Sequence, residues 1–159
     1  MTTARISTPN YVLIEGKHRI GPHVEALESG LECLTIYGFS DKGPYDRFLA
    51  KSELALTPYP LVKGYLRNQM EEPGERLRLV VVDAESPRQR CLSAATFKDV
   101  LEAQERSAQM VIATYRAVFN DRANAYRIHG FDGDLAEAHY SLPNRLMTRR
   151  SPSGNTDSD

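Results

Sequence analysis

The sequence predicts an α/β or α+β fold, with a small mixed or parallel sheet of three to four strands, flanking helices and a long C-terminal helix. Three observations indicate this fold. Residues 31–39 and 76–83 are short apolar runs, typical of strands buried on both faces. Segments with one apolar stripe, typical of helices packed on a sheet, lie between these runs. A seven-residue apolar rhythm occupies the C-terminal half.

The first predicted element is a β-hairpin. Residues 11–14 are apolar and predict a strand, Gly16 and Lys17 form a two-residue turn, and residues 18–20 return as a second strand. A simple loop is the alternative. A short helical turn is then expected over residues 22–30, because it begins with proline and ends with glycine.

Two helices are predicted between the central strands. The first begins at Pro44 and carries an apolar stripe as far as Leu56. The second covers residues 61–70, and the proline-rich residues 57–60 separate the two. A right-handed crossover through these helices would make the two central strands parallel neighbours.

The long helix is predicted over about residues 94–119, with an extension to residue 128 as the alternative. Thr96 and Asp99 fit a capping box, in which a hydroxyl caps the helix and an acidic residue follows three positions later. The apolar seam advances by alternating steps of four and three residues, which keeps it on one side of a helix. Its residues are Phe97, Leu101, Gln104, Ala108, Val111, Tyr115 and Val118.

The chain of 159 residues fits one domain. We expect residues 1–10 to be a flexible N-terminus and residues 11–140 to form a single α/β domain. Residues 141–159 are expected to be a disordered tail, because their Pro, Ser, Asn, Thr and Asp residues bury too little apolar surface to become ordered.

Composition and charge narrow the function classes. The net charge is −1, so we do not expect a nucleic-acid binder, whose affinity would come largely from Lys and Arg. Contact through Lys63, Arg67, Arg145, Arg149 and Arg150 is a minor alternative. No run approaches ~18 apolar residues, so we expect no membrane span, no signal peptide and a cytoplasmic location.

The sequence has only two cysteines and four histidines, the residue types that most often bind zinc. Cys33 and Cys91 lie among apolar neighbours and are expected to be buried thiols in a reducing compartment, with a disulfide as the alternative. Two cysteines alone cannot form a structural zinc site. A cluster of acidic residues with one histidine fails the calcium-loop pattern, and we expect neither a metal nor a cofactor. That cluster comprises Asp132, Asp134, Glu137 and His139.

These features favour a non-enzymatic protein-interaction or regulatory module that pairs, with itself as a homo-oligomer or with another protein, through the long helix. A helix of about 24 residues spans about 36 Å, against ~17–20 Å for a typical strand. Part of the seam would then overhang the sheet and offer apolar surface to a second chain. Gln104 would fix the register of the helix pair.

The alternative function is a small-molecule or phosphate-binding enzyme, so a small anionic ligand is the alternative partner. Its site would lie between the loop after the first central strand and residues 83–86. Backbone N–H groups at a helix start, helped by the Lys42 ammonium and the Ser40 hydroxyl, bind anions. Asp83 ends the second strand at the sheet edge where open α/β sheets bind ligands. The loop residues concerned are Gly38, Ser40, Lys42 and Gly43.

Overall fold

A computed structural model describes residues 4–27, 29–74 and 76–130 of the chain. These residues form ten strands and three short helices. The strands are β1 (Ala4–Ser7), β2 (Tyr11–Glu15), β3 (His18–Arg19), β4 (Glu32–Phe39), β5 (Thr57–Pro60), β6 (Arg76–Val82), β7 (Cys91–Thr96), β8 (Met110–Ala113), β9 (Tyr115–Asn120) and β10 (Ala125–Gly130). The helices are α1 (Lys42–Ala50), α2 (Lys63–Glu71) and α3 (Phe97–Glu105).

Eight of these strands form one mixed sheet. Their order is β10, β9, β7, β6, β4, β2, β3, and β5 also pairs with β2. The β4–β6 pair is parallel, and the other pairs are antiparallel. β5 lies on the side of β2 opposite to β4, since Tyr11 of β2 pairs with both Phe39 and Pro60. β1 and β8 form a separate two-stranded antiparallel sheet.

The parallel pair β4–β6 lies at the centre of the large sheet, and the predicted pairing of these two strands is confirmed. Val80 and Val81, adjacent in β6, are both fully buried and belong to different core clusters. Because successive side chains of a strand point to opposite faces, both faces of the sheet are covered here. Close packing requires Gly38, since a Cβ at that position would lie 2.4 Å from Cγ1 of Val80.

One side of the sheet, which we call the α1 face, is covered by α1 and by the chain between β3 and β4. Its core is rich in aromatic rings. The Phe48 ring of α1 lies 4.6 Å from the Tyr37 ring and 5.5 Å from the Phe39 ring, measured between ring centres. Tilted aromatic pairs of this kind stabilise a core beyond the apolar area that they bury.

The other side, which we call the α2–α3 face, is covered by α2, α3 and β8. Leu66 of α2 and Phe97 and Val100 of α3 are fully buried in this layer. α2 and α3 also contact each other. The sheet therefore has a separate apolar core on each face.

The N-terminal residues take part in the fold. Residues 4–7, in the segment expected to be flexible, form β1. Thr8 is buried, and its hydroxyl donates a hydrogen bond of 2.8 Å to the Ala108 carbonyl. These contacts fix the N-terminal segment on the end of α3.

The predicted long C-terminal helix is wrong, and so is the predicted sheet of three to four strands. Residues 94–119 comprise the end of β7, all of α3 and β8, and most of β9. α3 has nine residues, and β10 follows in place of a helical extension. The sheet has eight strands, which leaves a mixed sheet with helices on both faces as the correct part of the prediction.

The physical reason for the error is a competition between two periods. The chain leaves α3 at Ser107, which has a left-handed φ of 54°. Beyond it, the buried residues recur at every second position, as in a strand. Two apolar residues four positions apart can lie on one side of a helix or on one face of a strand. The seam pattern therefore did not discriminate between a helix and a strand. The buried residues are Val111, Ala113, Tyr115 and Ala117.

Local signals were more reliable. Thr96 caps α3, where its Oγ1 accepts a hydrogen bond of 3.1 Å from the Asp99 N–H. The hairpin is confirmed, with Gly16 in its turn at a φ of 65°. α1 and α2 overlap the two predicted helices. The helical turn predicted over residues 22–30 is wrong for the described residues, and Val24 forms a parallel β-bridge instead.

Residues 131–159 lie outside the described part of the chain. The expected tail of residues 141–159 and the acidic cluster from Asp132 to His139 therefore lie outside it too. Within the described ranges, no helix is both long enough and apolar enough to cross a membrane.

Candidate functional site

An open cavity of about 910 Å³ lies beyond the carboxyl end of β4, between the start of α2 and the end of α3. Its volume is typical of small-molecule sites, and open α/β sheets bind ligands beyond the carboxyl ends of their strands. Eight of its eleven lining residues are polar. The polar lining residues are Thr8, Asn10, Ser40, Asp41, Lys63, Gln104, Ser107 and Gln109, and the apolar ones are Leu61, Val62 and Ala108.

Asp83 does not line this cavity but holds Ser40, which does. Its Oδ1 accepts a hydrogen bond from the Ser40 N–H and its Oδ2 accepts one from the Ser40 hydroxyl, both at 2.8 Å. Asp83 itself has a left-handed φ of 56°, a conformation that Asp tolerates better than most residues. Asp83 is thus a positioning residue, and it leaves the lone pairs of the Ser40 hydroxyl free to accept from a ligand.

The lysine expected at the site is directed elsewhere. The Lys42 ammonium is exposed and pairs with the Asp46 carboxylate at 2.6 Å, one helical turn further along α1. This hydrogen bond raises the pKa of Lys42. Asp41 caps α1 by accepting from the Lys42 N–H and also lines the cavity.

The start of α2 supplies the cation and the backbone donors of the cavity. Val62 is the N-cap residue and makes no side-chain capping bond. The first N–H groups of a helix have no partner within the helix, and the helix dipole favours an acceptor or an anion there. Lys63, the first residue of α2, lines the cavity beside these donors.

Gln104 presents a buried acceptor in the cavity wall. Its Nε2 donates to the carbonyls of Pro9 at 3.3 Å and Leu61 at 3.2 Å. Because both partners are acceptors, the amide orientation is fixed and Oε1 has to accept. Oε1 is buried and finds no donor within the described part of the chain. An unmatched buried acceptor costs about 1–3 kcal/mol, which a donor group can recover.

The end of α3 forms the opposite wall, in a Schellman motif. The Ser107 N–H donates to the Gln104 carbonyl at 3.1 Å, and the Ala108 N–H donates to the Ala103 carbonyl at 2.8 Å. Ser107 adopts the left-handed conformation in which glycine is usual. A strained serine at this position lines the cavity, and such strain is typical of functional sites.

Of the five predicted ligand-binding residues, Ser40 lines the cavity, and Asp83 acts through it. Gly38 is buried in β4, where it allows close packing against β6. Lys42 and Gly43 belong to the first turn of α1 and do not line the cavity. The loop is therefore close to the cavity, while its predicted anion-binding lysine is not part of it.

The predicted interface residues are dispersed over three elements and the loop after α3. Phe97 and Leu101 of α3, Val111 of β8 and Tyr115 of β9 are buried in the cores. Gln104 and Ala108 line the cavity, and Val118 is partly buried in β9. Sequence reasoning missed Thr8, Asn10, Lys63 and Gln109 as lining residues. Besides Ser40, the sequence held one further signal for the site in Gln104, a polar residue in an apolar pattern, which we interpreted as setting helix register.

A smaller cavity of about 350 Å³ lies between α3 and β8. Two acidic and two basic side chains line it together with exposed apolar ones, so its charges are balanced. Among the described residues, no group of three or more His, Cys, Asp or Glu is placed to hold a metal ion.

No protein-family model matches the chain, and neither a curated protein nor a solved structure matches it.

Proposed function

We propose that this protein binds a small carboxylic acid that also carries N–H or O–H donors, such as an amino acid or a hydroxy acid. The ligand occupies the cavity between α2 and α3. The observation that carries the proposal is Oε1 of Gln104, a buried acceptor in the cavity wall that finds no donor among the residues that the structure describes. The function is binding, without a chemical step.

The lining supports this ligand class because it offers both charges. Lys63 and the uncapped start of α2 favour the carboxylate of the ligand. Gln104, Asp41 and the lone pairs of the Ser40 hydroxyl favour its donor groups. Inorganic phosphate has only one or two O–H donors for the second set, so we favour a ligand that carries its donors on a group separate from its anion.

The interaction function expected from the long helix is not carried forward, because the helix that it required is absent from the described residues. The expected cytoplasmic location remains part of this proposal.

The test is thermal unfolding of the full chain in the presence of the common amino acids, lactate or malate. At about ten times its Kd, a ligand adds about 1.4 kcal/mol to the free energy of unfolding. We expect at least one compound to raise Tm by about 2–6 °C. The Lys63→Met variant should abolish this rise, because it removes the cation at the start of α2.

Lys42→Met is the matched control, since it removes a nearby lysine that does not line the cavity. It should retain the full Tm rise. Absence of any shift across the panel would refute the proposal. Equal loss of the shift in both variants would refute the cavity as the binding site.

A further inference from the structure

A second feature of the α2–α3 face is an arginine stacked on a tyrosine ring. The Cζ atom of Arg19 in β3 lies 3.7 Å from the centre of the Tyr65 ring in α2. It also lies 5.9 Å from the centre of the Tyr59 ring in β5. Stacking holds the flat guanidinium against Tyr65 and leaves its N–H edge directed away from the ring.

Arg78 of β6 lies on the same face of the sheet, because it alternates with Leu77 and Leu79, which pack in the core of the α1 face. Burial raises the pKa of the Tyr65 hydroxyl, and the charges of Arg19 and Arg78 oppose that rise while Glu72 adds to it. The Nη1 of Arg78 donates to the backbone carbonyl of Arg76 at 3.4 Å. Two cations from different strands thus lie on one face of the sheet, and both lower the pKa of one side chain of α2.

Each of the two guanidinium groups has an N–H donor without a hydrogen-bond partner in the described part of the chain. The Nε–H groups of Arg19 and Arg78 are buried and find no acceptor within the described ranges. No ion pair there engages either residue. Unmatched buried donors on charged groups are costly. An anion that accepts from these donors would relieve that cost.

We propose that Arg19 and Arg78, beside Tyr65, form a binding site for a small oxyanion, with phosphate as the ligand. Guanidinium groups match the spacing of phosphate oxygens and bind them through paired N–H donors. The site is separate from the cavity between α2 and α3, since neither arginine lines that cavity. The proposal therefore does not depend on the proposed function.

The experiment follows the arginine Nε–Hε resonances of the full chain by NMR during titration with sodium phosphate, against sodium chloride at equal ionic strength. We expect the Arg19 and Arg78 resonances to move together and to saturate. Phenyl phosphate is the second probe. Equal affinity for both probes assigns the site to the free ion, and tighter binding of phenyl phosphate assigns it to an ester whose ring stacks on Tyr59, which is 46% exposed.

Arg19→Gln and Arg78→Gln should each weaken phosphate binding by about tenfold or more, the equivalent of one charge-assisted hydrogen bond. The matched control is Arg67→Gln, which removes an exposed arginine of α2 that pairs with Glu105. It should leave binding unchanged. Wild-type resonances that do not saturate overturn the proposal, whatever the stability of the variants. Movement confined to the amides around Lys63 overturns it too, and assigns phosphate to the cavity.

Discussion

The two faces of the sheet treat their buried polar groups differently. On the α1 face, the buried Thr35 hydroxyl donates to the Pro22 carbonyl at 2.8 Å, and the Tyr126 hydroxyl donates to the Gln89 carbonyl. Every unmatched buried side-chain atom found in the described residues belongs to the α2–α3 face. This follows from the alternation of side chains along the strands and from the position of α3. These atoms are Nε of Arg19, Nε of Arg78, Nε of Arg116 and Oε1 of Gln104.

This difference separates a face that stabilises the protein from a face that offers binding groups. Native proteins match most buried polar atoms, so each unmatched atom indicates either a cost that is tolerated or a partner that is supplied from outside. Both proposed sites draw on the α2–α3 face. The α1 face, with its aromatic core, is expected to contribute stability alone.

The largest expected effect comes from a comparison of one substitution on each face. Phe48→Ala should lower the free energy of unfolding by about 3–5 kcal/mol, because it leaves a cavity in the aromatic core. Gln104→Met should lower it by only about 1–2 kcal/mol, because the carbonyls of Pro9 and Leu61 lose their Nε2 donor while the unmatched Oε1 is removed. Urea denaturation measures both. Equal losses would contradict the assignment of different roles to the two faces.

The next comparison uses the two cysteines, which point to opposite faces. Cys33 packs against the core of the α1 face, and burial raises the pKa of its thiol to about 12, whereas Cys91 is exposed. Because the thiolate is the reactive form, Cys91 should be alkylated at least about 100-fold faster than Cys33. Iodoacetamide labelling of the Cys33→Ser and Cys91→Ser variants measures each rate. Similar rates would show that Cys33 is accessible and that the α1 face opens.

The smallest expected effect concerns the strained wall of the cavity. Ser107→Gly should raise the free energy of unfolding by about 0.5–1 kcal/mol, because glycine adopts a positive φ without steric cost. Asn124→Gly, at the same φ of 54° in the β9–β10 turn, is the control. The Asn124→Gly substitution should raise the free energy of unfolding by less, since Asn already tolerates this conformation. Differential scanning calorimetry separates the two, and a destabilised Ser107→Gly would mean that the serine side chain stabilises the wall.

Several elements were predictable because their signals are local. The β4–β6 pair was predicted from two apolar runs joined by helices, and its parallel pairing followed from crossover handedness. The Thr96 cap and the Gly16 turn were predictable because each depends on a few adjacent residues. The segment after residue 106 was mispredicted because its apolar spacing fits two periods, and only pairing with β1, β7 and β10 selects the strand.

The sequence by itself determined the two central strands, the Thr96 cap of α3 and the presence of apolar surface for two faces. Tertiary structure alone decided that Gln104 and Lys63, 41 positions apart, face one cavity, and that Arg19 and Arg78 lie on one face of the sheet. The physical reason is the separation along the chain of the residues that interact. Capping and turn formation depend on neighbours along the chain, whereas a site depends on side chains that only strand pairing and helix packing bring together.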